Sequence, residues 1–210
     1  QLVQDAKRHG VEVRRVDVGE RPDFRAFDIL FIGGGQDREQ LRIARDLAEV
    51  KGPSLRRAVD DGLVVLAVCG GYQLLGRYFR TGAGSVLPGI EVFDAWTVAG
   101  SMRCIGDVIA RSDLGGWPRT LVGFENHSGK TYLGEGAQPL ARVLFGYGNN
   151  AEDGYEGAVS GNAFGTYLHG SLLPKNPWLA DLLIRRALER RYGTAAGLRP
   201  IDDAVEMQAH

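Results

Sequence analysis

The feature that most constrains the fold is a continuous apolar run that ends at a cysteine and two glycines. Residues 63–68 read LVVLAV, and Cys69, Gly70 and Gly71 follow at once. An unbroken apolar strand is typical of a parallel sheet whose two faces are both covered by helices. The sequence therefore predicts an α/β protein with a mainly parallel central sheet.

Strand and helix patterns alternate over the first two-fifths of the chain. Two further strands are predicted at 11–16 (VEVRRV) and 27–35 (FDILFIGGG), and helices at 37–50, 54–62 and 72–79. Asp37 stands in an N-cap position of the first helix, and Gly62 is placed to end the second. This alternation is what a layered α/β fold requires.

The middle of the chain has a different character from its two ends. Short β runs, broken by Gly and Asn, are predicted at 103–110, 120–129, 141–149 and 155–170. They predict antiparallel hairpins packed on the parallel sheet. A helix is then predicted over 176–193, with Asn176 as its cap and Gly193 as its end.

We expect one domain over residues 1–210, with 194–210 as a tail, because no linker or repeat divides the chain. The chain starts in what reads as a helix, so we also expect a first strand to precede Gln1.

Composition excludes several classes of protein. A formal net charge of -1 gives no reason to expect nucleic acid or an anionic membrane as the main partner. No apolar run approaches the roughly 20 residues that a membrane-spanning helix needs, so membrane insertion is not expected. Two cysteines in 210 residues do not suggest a disulfide-built secreted domain. We therefore expect a reducing compartment, the cytoplasm.

Cys69 stands where a nucleophile would stand. Strand, Cys, Gly-Gly and helix in that order are typical of a nucleophile elbow, a sharp turn that needs small neighbours. The N-terminus of the following helix would favour the thiolate, which is the reactive form of the side chain. The alternative is an inert, buried cysteine.

A cysteine nucleophile needs a base, and the chain has four histidines. His169 ends the apolar run FGTYLHG and would reach the same sheet edge as Cys69 if that strand is parallel. His127 lies in the polar stretch FENHSG, which we interpret as a loop with either a binding or a structural role. His9 and His210 are expected to be solvated.

Glycines at 33–35 follow a strand that should neighbour the Cys69 strand. The amides of Gly34 and Gly35, together with that of Gly70, could form an oxyanion hole. The stretch GGGQDREQ does not fit a dinucleotide-binding GxGxxG motif, and no Gly-Lys-Ser/Thr follows that would indicate a phosphate loop. An ordinary strand-to-helix turn remains the alternative, and no metal site is expected.

Four stretches together resemble a known family: GGGQD, AVCGGYQLLG, GFENHSG and GTYLHGSLLPKNP. They are similar to the class I glutamine amidotransferases of the cobyric acid synthase-like (CobB/CobQ-type) branch. The resemblance covers nearly the whole chain after about residue 27. It implies a three-layer α/β/α, flavodoxin-like fold, in which Cys69 attacks the glutamine side-chain amide and His169 moves the proton.

The resemblance also implies roles for further residues. Gln73 matches the last position of the motif C-x-G-x-Q and would help to hold the substrate. Asn126 and His127 match a loop that contacts the glutamine backbone. Arg103 matches a substrate-binding arginine, and its guanidinium suits the α-carboxylate of free glutamine. The alternative for Arg103 is a solvated strand end.

One departure from ordinary class I enzymes is visible after the histidine. A glutamate usually stands two residues after it, but here the order is His169, Gly170, Ser171. The branch shares this departure. We hypothesise that an acid comes in trans from a partner subunit, or that His169 works with backbone partners alone.

Within the family, the likeness is strongest to glutaminase subunits of lipid II isoglutaminyl synthases. It implies a heterodimer in which L-glutamine is hydrolysed here and ammonia passes to a Mur-ligase-like synthetase subunit. That partner would use ATP and magnesium to convert the D-glutamate α-carboxylate of the peptidoglycan stem peptide to D-isoglutamine. No cofactor is expected in this chain itself.

Three alternatives remain open. An amidotransferase for corrinoid carboxylates would usually carry a fused ATP-binding domain, for which this chain has neither the length nor a phosphate loop. A non-catalytic subunit with a degenerate site would not need Cys69 and His169 together. A stand-alone cysteine hydrolase would not need the glutamine-binding residues that the resemblance implies.

Overall fold

The computed structural model describes residues 10–35, 37–195 and 201–210, and of residues 37–40 it describes the backbone alone. Its helices are α1 (Asp37–Asp46), α2 (Gly52–Asp60), α3 (Gly70–Leu74), α4 (Leu172–Lys175), α5 (Pro177–Tyr192) and α6 (Ala204–Ala209). Its strands are β1 (Ile29–Ile32), β2 (Val64–Val68), β3 (Tyr78–Arg80), β4 (Val86–Pro88), β5 (Ala95–Ser112), β6 (Arg119–Leu133), β7 (Ala141–Phe145), β8 (Tyr155–Glu156), β9 (Ala158–Ser160) and β10 (Ala163–Thr166).

The predicted parallel sheet is present. Its strand order is β1-β2-β10-β9, and only β9 runs antiparallel to its neighbour. Ala67 of β2 lies opposite Ile32 of β1 on one side and Gly165 of β10 on the other. Every residue of β2 is buried, as the unbroken apolar run predicted.

Helices cover both faces of this sheet. Val65 and Ala67 of β2 pack in one apolar cluster with Ala44 of α1 and with Leu55 of α2. The alternate β2 residues pack in a second cluster with Leu179, Leu183 and Ala187 of α5, and they are Val64, Leu66 and Val68. Because side chains alternate along a strand, β2 lies between two helical layers, which is the three-layer arrangement expected.

The predicted hairpins form a second, larger sheet of six strands. Its order is β4-β3-β5-β7-β8, with β6 paired to β5. All its pairs are antiparallel except β3 with β5. The last predicted β run, 155–170, divides between the sheets: β8 joins the second sheet, whereas β9 and β10 extend the first.

Two predicted elements were wrong. Residues 11–16 alternate polar and apolar but form no strand, and Val11 and Val13 are 55% and 47% exposed. Since they pair with no described strand, their backbone has no ladder to join. The predicted helix at 72–79 ends at Leu74, because the chain turns towards β5, where the Arg77 amide donates to the Ala95 carbonyl at 2.7 Å.

The helix predicted at 37–50 is longer than expected and contains a widened turn. Residues Leu47–Lys51 form a π-turn that joins α1 to α2. At this turn the Lys51 ammonium pairs with the Asp46 carboxylate, and both side chains are buried. A π-turn places residues five apart on one face, so it accommodates this pair.

Helix α5 agrees with its prediction at both ends, but the Asn176 side chain makes different hydrogen bonds from those expected. Gly193 ends α5 in a left-handed conformation, with φ of 72°. The Asn176 side chain does not cap the helix; it accepts from the Val122 amide at 2.8 Å and donates to the Val122 carbonyl at 2.7 Å. It therefore ties the start of α5 to β6. None of the described helices combines the length and apolar character needed to cross a bilayer.

Candidate active site

Cys69 occupies a sharp turn between β2 and α3. Its backbone has φ of 54° and ψ of −111°, a region that residues other than glycine rarely adopt. Hydrogen bonds on both sides hold it there: the Cys69 amide donates to the Thr166 carbonyl at 2.8 Å, and the Gln73 amide donates to the Cys69 carbonyl at 3.0 Å. The elbow predicted from the sequence is thus present in the backbone.

Glycines surround this turn because the backbone approaches it closely. A side chain on Gly71 would come within 2.6 Å of the Ile32 carbonyl oxygen at the end of β1. A side chain on Gly34 would lie 3.1 Å from the Cys69 Cβ and 3.6 Å from the Gly70 amide nitrogen. The predicted oxyanion residues Gly34 and Gly70 therefore meet beside Cys69. Gly35 follows Gly34 and is exposed.

The electrostatics of the thiol differ from expectation. Burial raises the pKa of the Cys69 thiol above its ordinary value, while a hydrogen bond from the Gly70 amide and the charge of Arg103 oppose the rise. The sequence had suggested a thiolate favoured by the helix N-terminus. Helix α3 has only five residues, and its N-terminus does not outweigh desolvation. Burial therefore favours the thiol of Cys69 over its thiolate.

His169 follows β10, the strand beside β2, so it leaves the same sheet edge as Cys69. Its amide donates to the Phe124 carbonyl of β6 at 2.8 Å. Burial lowers the pKa of the His169 imidazole, and the neighbouring His127 charge lowers it further. Its Nε2 atom is buried and has no hydrogen-bond partner among the described residues. A neutral imidazole with an unpaired nitrogen is what a general base requires.

Arg103 and Asn126 lie together on the outer face of β5 and β6. The Arg103 Nε donates to the Asn126 Oδ1 at 2.7 Å, and the guanidinium is exposed. The same guanidinium acts on the thiol of Cys69 through its charge. The two predicted binding residues are therefore adjacent to each other and near the candidate nucleophile.

His127 and Gln73 are placed differently from what the sequence suggested. His127 lies in strand β6 rather than in a loop, and its side chain is buried. Gln73 is also buried in α3, and its Nε2 donates to the Tyr167 hydroxyl at 3.0 Å. Both side chains are buried, and their predicted contacts with substrate stay predictions.

A buried polar cluster beneath the site was missed from the sequence. The Tyr167 hydroxyl bonds to Thr131 Oγ1 at 2.6 Å, and Thr131 bonds in turn to Thr97 at 2.7 Å. Glu125 is fully buried beside His127. In β6 the even positions look apolar at Val122 and Phe124, but the odd positions are the buried ones. Leu121, fully buried at an odd position, was the available signal.

A second buried acid was also missed. Glu156 of β8 accepts hydrogen bonds through Oε1 from the Thr166 hydroxyl at 2.5 Å and from the Tyr167 amide at 2.8 Å. Its Oε2 has no partner among the described residues. Burial raises the pKa of Glu156 to about 7, although these two hydrogen bonds and the His127 charge oppose the rise.

Across residues 10–35, 37–195 and 201–210 no group of three His, Cys, Asp or Glu could hold a metal ion, and Cys69 and Cys104 are free thiols. His9 lies outside the described residues. His210 is not fully solvated as expected, because its Nδ1 bonds to the Lys175 carbonyl at 2.7 Å and its ring also contacts Thr120.

Comparison with known proteins identifies the family. Residues 5–177 match the CobB/CobQ-like glutamine amidotransferase domain. The chain belongs to this family. It is 43% identical over 210 residues to the lipid II isoglutaminyl synthase (glutamine-hydrolyzing) subunit GatD of Staphylococcus aureus strain N315, covering 99% of this chain and 84% of that protein.

Other relatives and solved structures agree with this membership. The GatD subunit of Streptococcus pneumoniae is 38% identical, over 94% of this chain and 75% of its own length. Cobyric acid synthase of Pelotomaculum thermopropionicum is 37% identical over 69% of this chain but only 29% of its own length. A crystal structure of a glutamine amidotransferase superposes with a TM-score of 0.56 at 20% identity, covering 88% of this chain and 90% of that one. At this identity the likeness shows the fold, and it confirms the predicted fold class.

Proposed function

We propose that this chain is the glutaminase subunit of a lipid II isoglutaminyl synthase. The observation that carries the proposal is the elbow at Cys69 beside the strand that leads to His169, in a chain similar to GatD subunits over nearly its whole length. The reaction would convert L-glutamine and water to L-glutamate and ammonia.

The residues divide the chemistry among themselves. His169 takes the proton of the Cys69 thiol, and the sulfur attacks the side-chain carbonyl carbon of glutamine. Amides of Gly34, Gly35 and Gly70 would stabilise the oxyanion. The proton then passes from His169 to the leaving nitrogen, which departs as ammonia and leaves a γ-glutamyl thioester. Water, deprotonated by His169, hydrolyses the thioester and restores the thiol.

Recognition of free glutamine is assigned to the outer face of β5 and β6. The exposed Arg103 guanidinium, oriented by Asn126, is suited to pair with the α-carboxylate. Because the same cation favours the thiolate of Cys69, substrate binding and nucleophile activation involve one residue. Gln73 and His127 would support this arrangement from the buried side.

We further propose a Mur-ligase-like partner that receives the ammonia and uses ATP and magnesium to amidate the D-glutamate α-carboxylate of lipid II. The names of the GatD relatives support a multisubunit enzyme. The order His169, Gly170, Ser171, with no acid two residues after the histidine, supports the supply of an orienting acid by that partner. The cytoplasm is the proposed location, and the two free thiols support a reducing compartment.

The test is covalent labelling with a diazoketone analogue of glutamine, followed by peptide mapping. We expect one adduct, on Cys69, that excess glutamine suppresses and that the synthetase subunit accelerates. Absence of any adduct on Cys69, with the partner present, would overturn the proposal. Equal labelling rates with and without the partner would contradict the hypothesis of an acid in trans, but they would still support Cys69 as the nucleophile.

Corrinoid amidation is the second candidate, because cobyric acid synthases are also relatives. The chain matches 29% of the length of the Pelotomaculum protein, against 84% of the length of the Staphylococcus aureus GatD subunit. Incubation with the synthetase subunit and either lipid II or a corrinoid acid would distinguish the two by which substrate gains nitrogen from labelled glutamine.

A further inference from the structure

His127 is a buried, titratable group that the reaction as described does not use. Its side chain lies in β6 and is 4% exposed. One ring face stacks on Tyr167, with centroids 3.6 Å apart and planes 11° from parallel. The ring edge makes two hydrogen bonds: Nδ1 with the Gly129 carbonyl at 2.8 Å and Nε2 with Glu125 Oε2 at 3.2 Å.

The partners of the two nitrogens determine where the hydrogens are. A carbonyl oxygen can only accept, so Nδ1 must carry a hydrogen. Glu125 also accepts from two backbone amides, that of Tyr147 at 2.7 Å and that of Gly148 at 3.0 Å. With a hydrogen on each nitrogen, the ring donates to both of its partners, and Glu125 accepts from Nε2 as well as from the two amides.

We propose that His127 is a standing imidazolium, paired with Glu125, that serves as a positioning residue for the general base His169. The proposal rests on the glutaminase function proposed above. The ion pair is fixed in the fold and does not exchange protons with substrate. Its role is to supply a positive charge near His169 and to hold β6, the strand whose Phe124 carbonyl accepts the His169 amide hydrogen bond.

Two connections link the pair to His169. The residue before Glu125 is Phe124, whose carbonyl receives the His169 amide, so one short segment of β6 carries the ion pair and supports the backbone of the base. The second connection is electrostatic: burial is the main cause that lowers the pKa of His169, and the His127 charge lowers it further. A like charge nearby disfavours a second cation, and His169 is kept neutral and able to accept the Cys69 proton.

Titratable groups face His127 from each neighbouring element. Tyr167 stacks on it from β10, Cys104 lies opposite it in β5, and Glu125 adjoins it in β6. Glu156 of β8 interacts with it electrostatically, and with a pKa of about 7 that acid becomes negative as the pH rises. Above about pH 7 the Glu156 charge would partly offset that of His127. The effect of His127 on His169 is therefore measured on the acid limb of the pH profile.

The first measurement observes the protonation directly. Long-range proton–nitrogen NMR of the full chain, labelled with ¹⁵N-histidine, would report the protonation of the His127 ring at about pH 7. We expect two protonated nitrogens, with the signal assigned by its loss in His127→Gln. A neutral tautomer would overturn the proposal.

The second measurement tests the effect on His169. In His127→Gln the acid limb of the pH profile for glutamine hydrolysis should move to higher pH by about one unit, because a like charge near the base is lost. Glu125→Gln should give the NMR signature of a neutral His127 ring and the same shift. The matched control is Cys104→Ala, which disturbs the same buried packing without removing a charge and should leave the limb in place.

The outcomes separate the possible failures. A uniform fall in rate at every pH, with the limb unmoved, would mean that His127 is only structural and would overturn the inference. If the variants do not fold, the NMR result on the wild-type chain decides, with the His127 ring assigned through its contact with the stacked Tyr167 ring. Failure of the wild-type chain to hydrolyse glutamine with its partner would contradict the proposed function, and the NMR result would still report on the ion pair.

Discussion

The candidate site contains two regions that differ in how completely their buried polar atoms are hydrogen-bonded. At the ends of β2 and β10, the Cys69 backbone is strained and the His169 Nε2 is buried without a partner among the described residues. On the inner face of β6, by contrast, both nitrogens of His127 are bonded, and Glu125 accepts from two amides as well as from that ring. The proposed reactive groups are strained or unpaired among the described residues, whereas His127 and Glu125 are fully bonded.

This difference assigns reactivity to one region of the site and stability to the other. An unpaired buried nitrogen costs roughly 1–3 kcal/mol and a strained residue a similar amount, so a fold tolerates them only where surrounding contacts fix them. Substitutions at the strand ends should therefore abolish chemistry with little loss of stability. Substitutions in the cluster should act mainly on stability, with effects on activity limited to its pH dependence.

The largest effect is expected at the nucleophile. Cys69→Ala should reduce glutamine hydrolysis by about 10⁴-fold or more, because no other group forms the thioester. Its unfolding free energy, measured by urea denaturation, should change by less than about 1 kcal/mol. Cys69→Gly should be equally inactive but more stable than Cys69→Ala, since glycine adopts this backbone without strain. A large loss of stability in Cys69→Ala would contradict the separation of the two regions.

Glu156→Gln should give the next largest effect, on stability. The pKa of Glu156 is raised by burial to about 7, so the folded chain holds a proton that the unfolded chain releases between its ordinary value and 7. Wild-type stability should consequently fall as the pH rises through this window, by about 3 kcal/mol in total. The amide variant cannot ionise and should lose this dependence.

Thermal unfolding of both proteins at about pH 5 and about pH 8 measures the difference. The variant should have the higher midpoint at pH 8 and a similar one at pH 5. Parallel pH dependence in the two proteins would show that Glu156 does not titrate in this window.

Arg103→Gln should weaken the reactive region without removing its nucleophile. We expect kcat/KM to fall by about 10- to 100-fold, mainly through KM, because a charged contact to the substrate carboxylate is lost. Alkylation of Cys69 by iodoacetamide should also slow at neutral pH, because the guanidinium no longer opposes the raised pKa of the thiol. An unchanged KM would move Arg103 out of the binding role.

The smallest effect is expected inside the cluster. Thr131→Val removes a buried hydroxyl that bonds to Thr97 and Tyr167, and it should cost about 1–3 kcal/mol of unfolding free energy. Covalent labelling of Cys69 should persist in this variant. Ser128→Ala, on the exposed face of the same strand, is the control and should be nearly neutral. Equal effects of the two would show that the cluster is not a stability element.

The sequence predicted the fold where the pattern of apolar residues is local. The run 63–68 predicted β2, and Pro177 and Gly193 predicted the ends of α5. The failures have non-local causes. Residues 11–16 have a strand pattern but no neighbouring strand among those described, and the helix after Tyr72 is cut short by the passage of the chain beside Ala95. Propensity does not report such contacts.

The candidate site divides in the same way. Cys69, Gly34 and Gly70 were predicted because tight turns leave glycine signatures, and the structure brings these three together. The polar cluster left no such signature. Glu125 and His127 look like solvent-facing residues in a sequence, and only the pairing of β6 with β5 and the burial of Leu121 assign them to the interior.

The pairing of β2 with β10 has a consequence for the timing of biosynthesis. Cys69 leaves the ribosome about 100 residues before His169, which at ordinary translation speeds is several seconds or more. Until β10 docks beside β2, the proposed base His169 and the Thr166 carbonyl that receives the Cys69 amide are not in place. Chains that end before His169 should therefore not hydrolyse glutamine, so a cell would not release ammonia from unfinished enzyme.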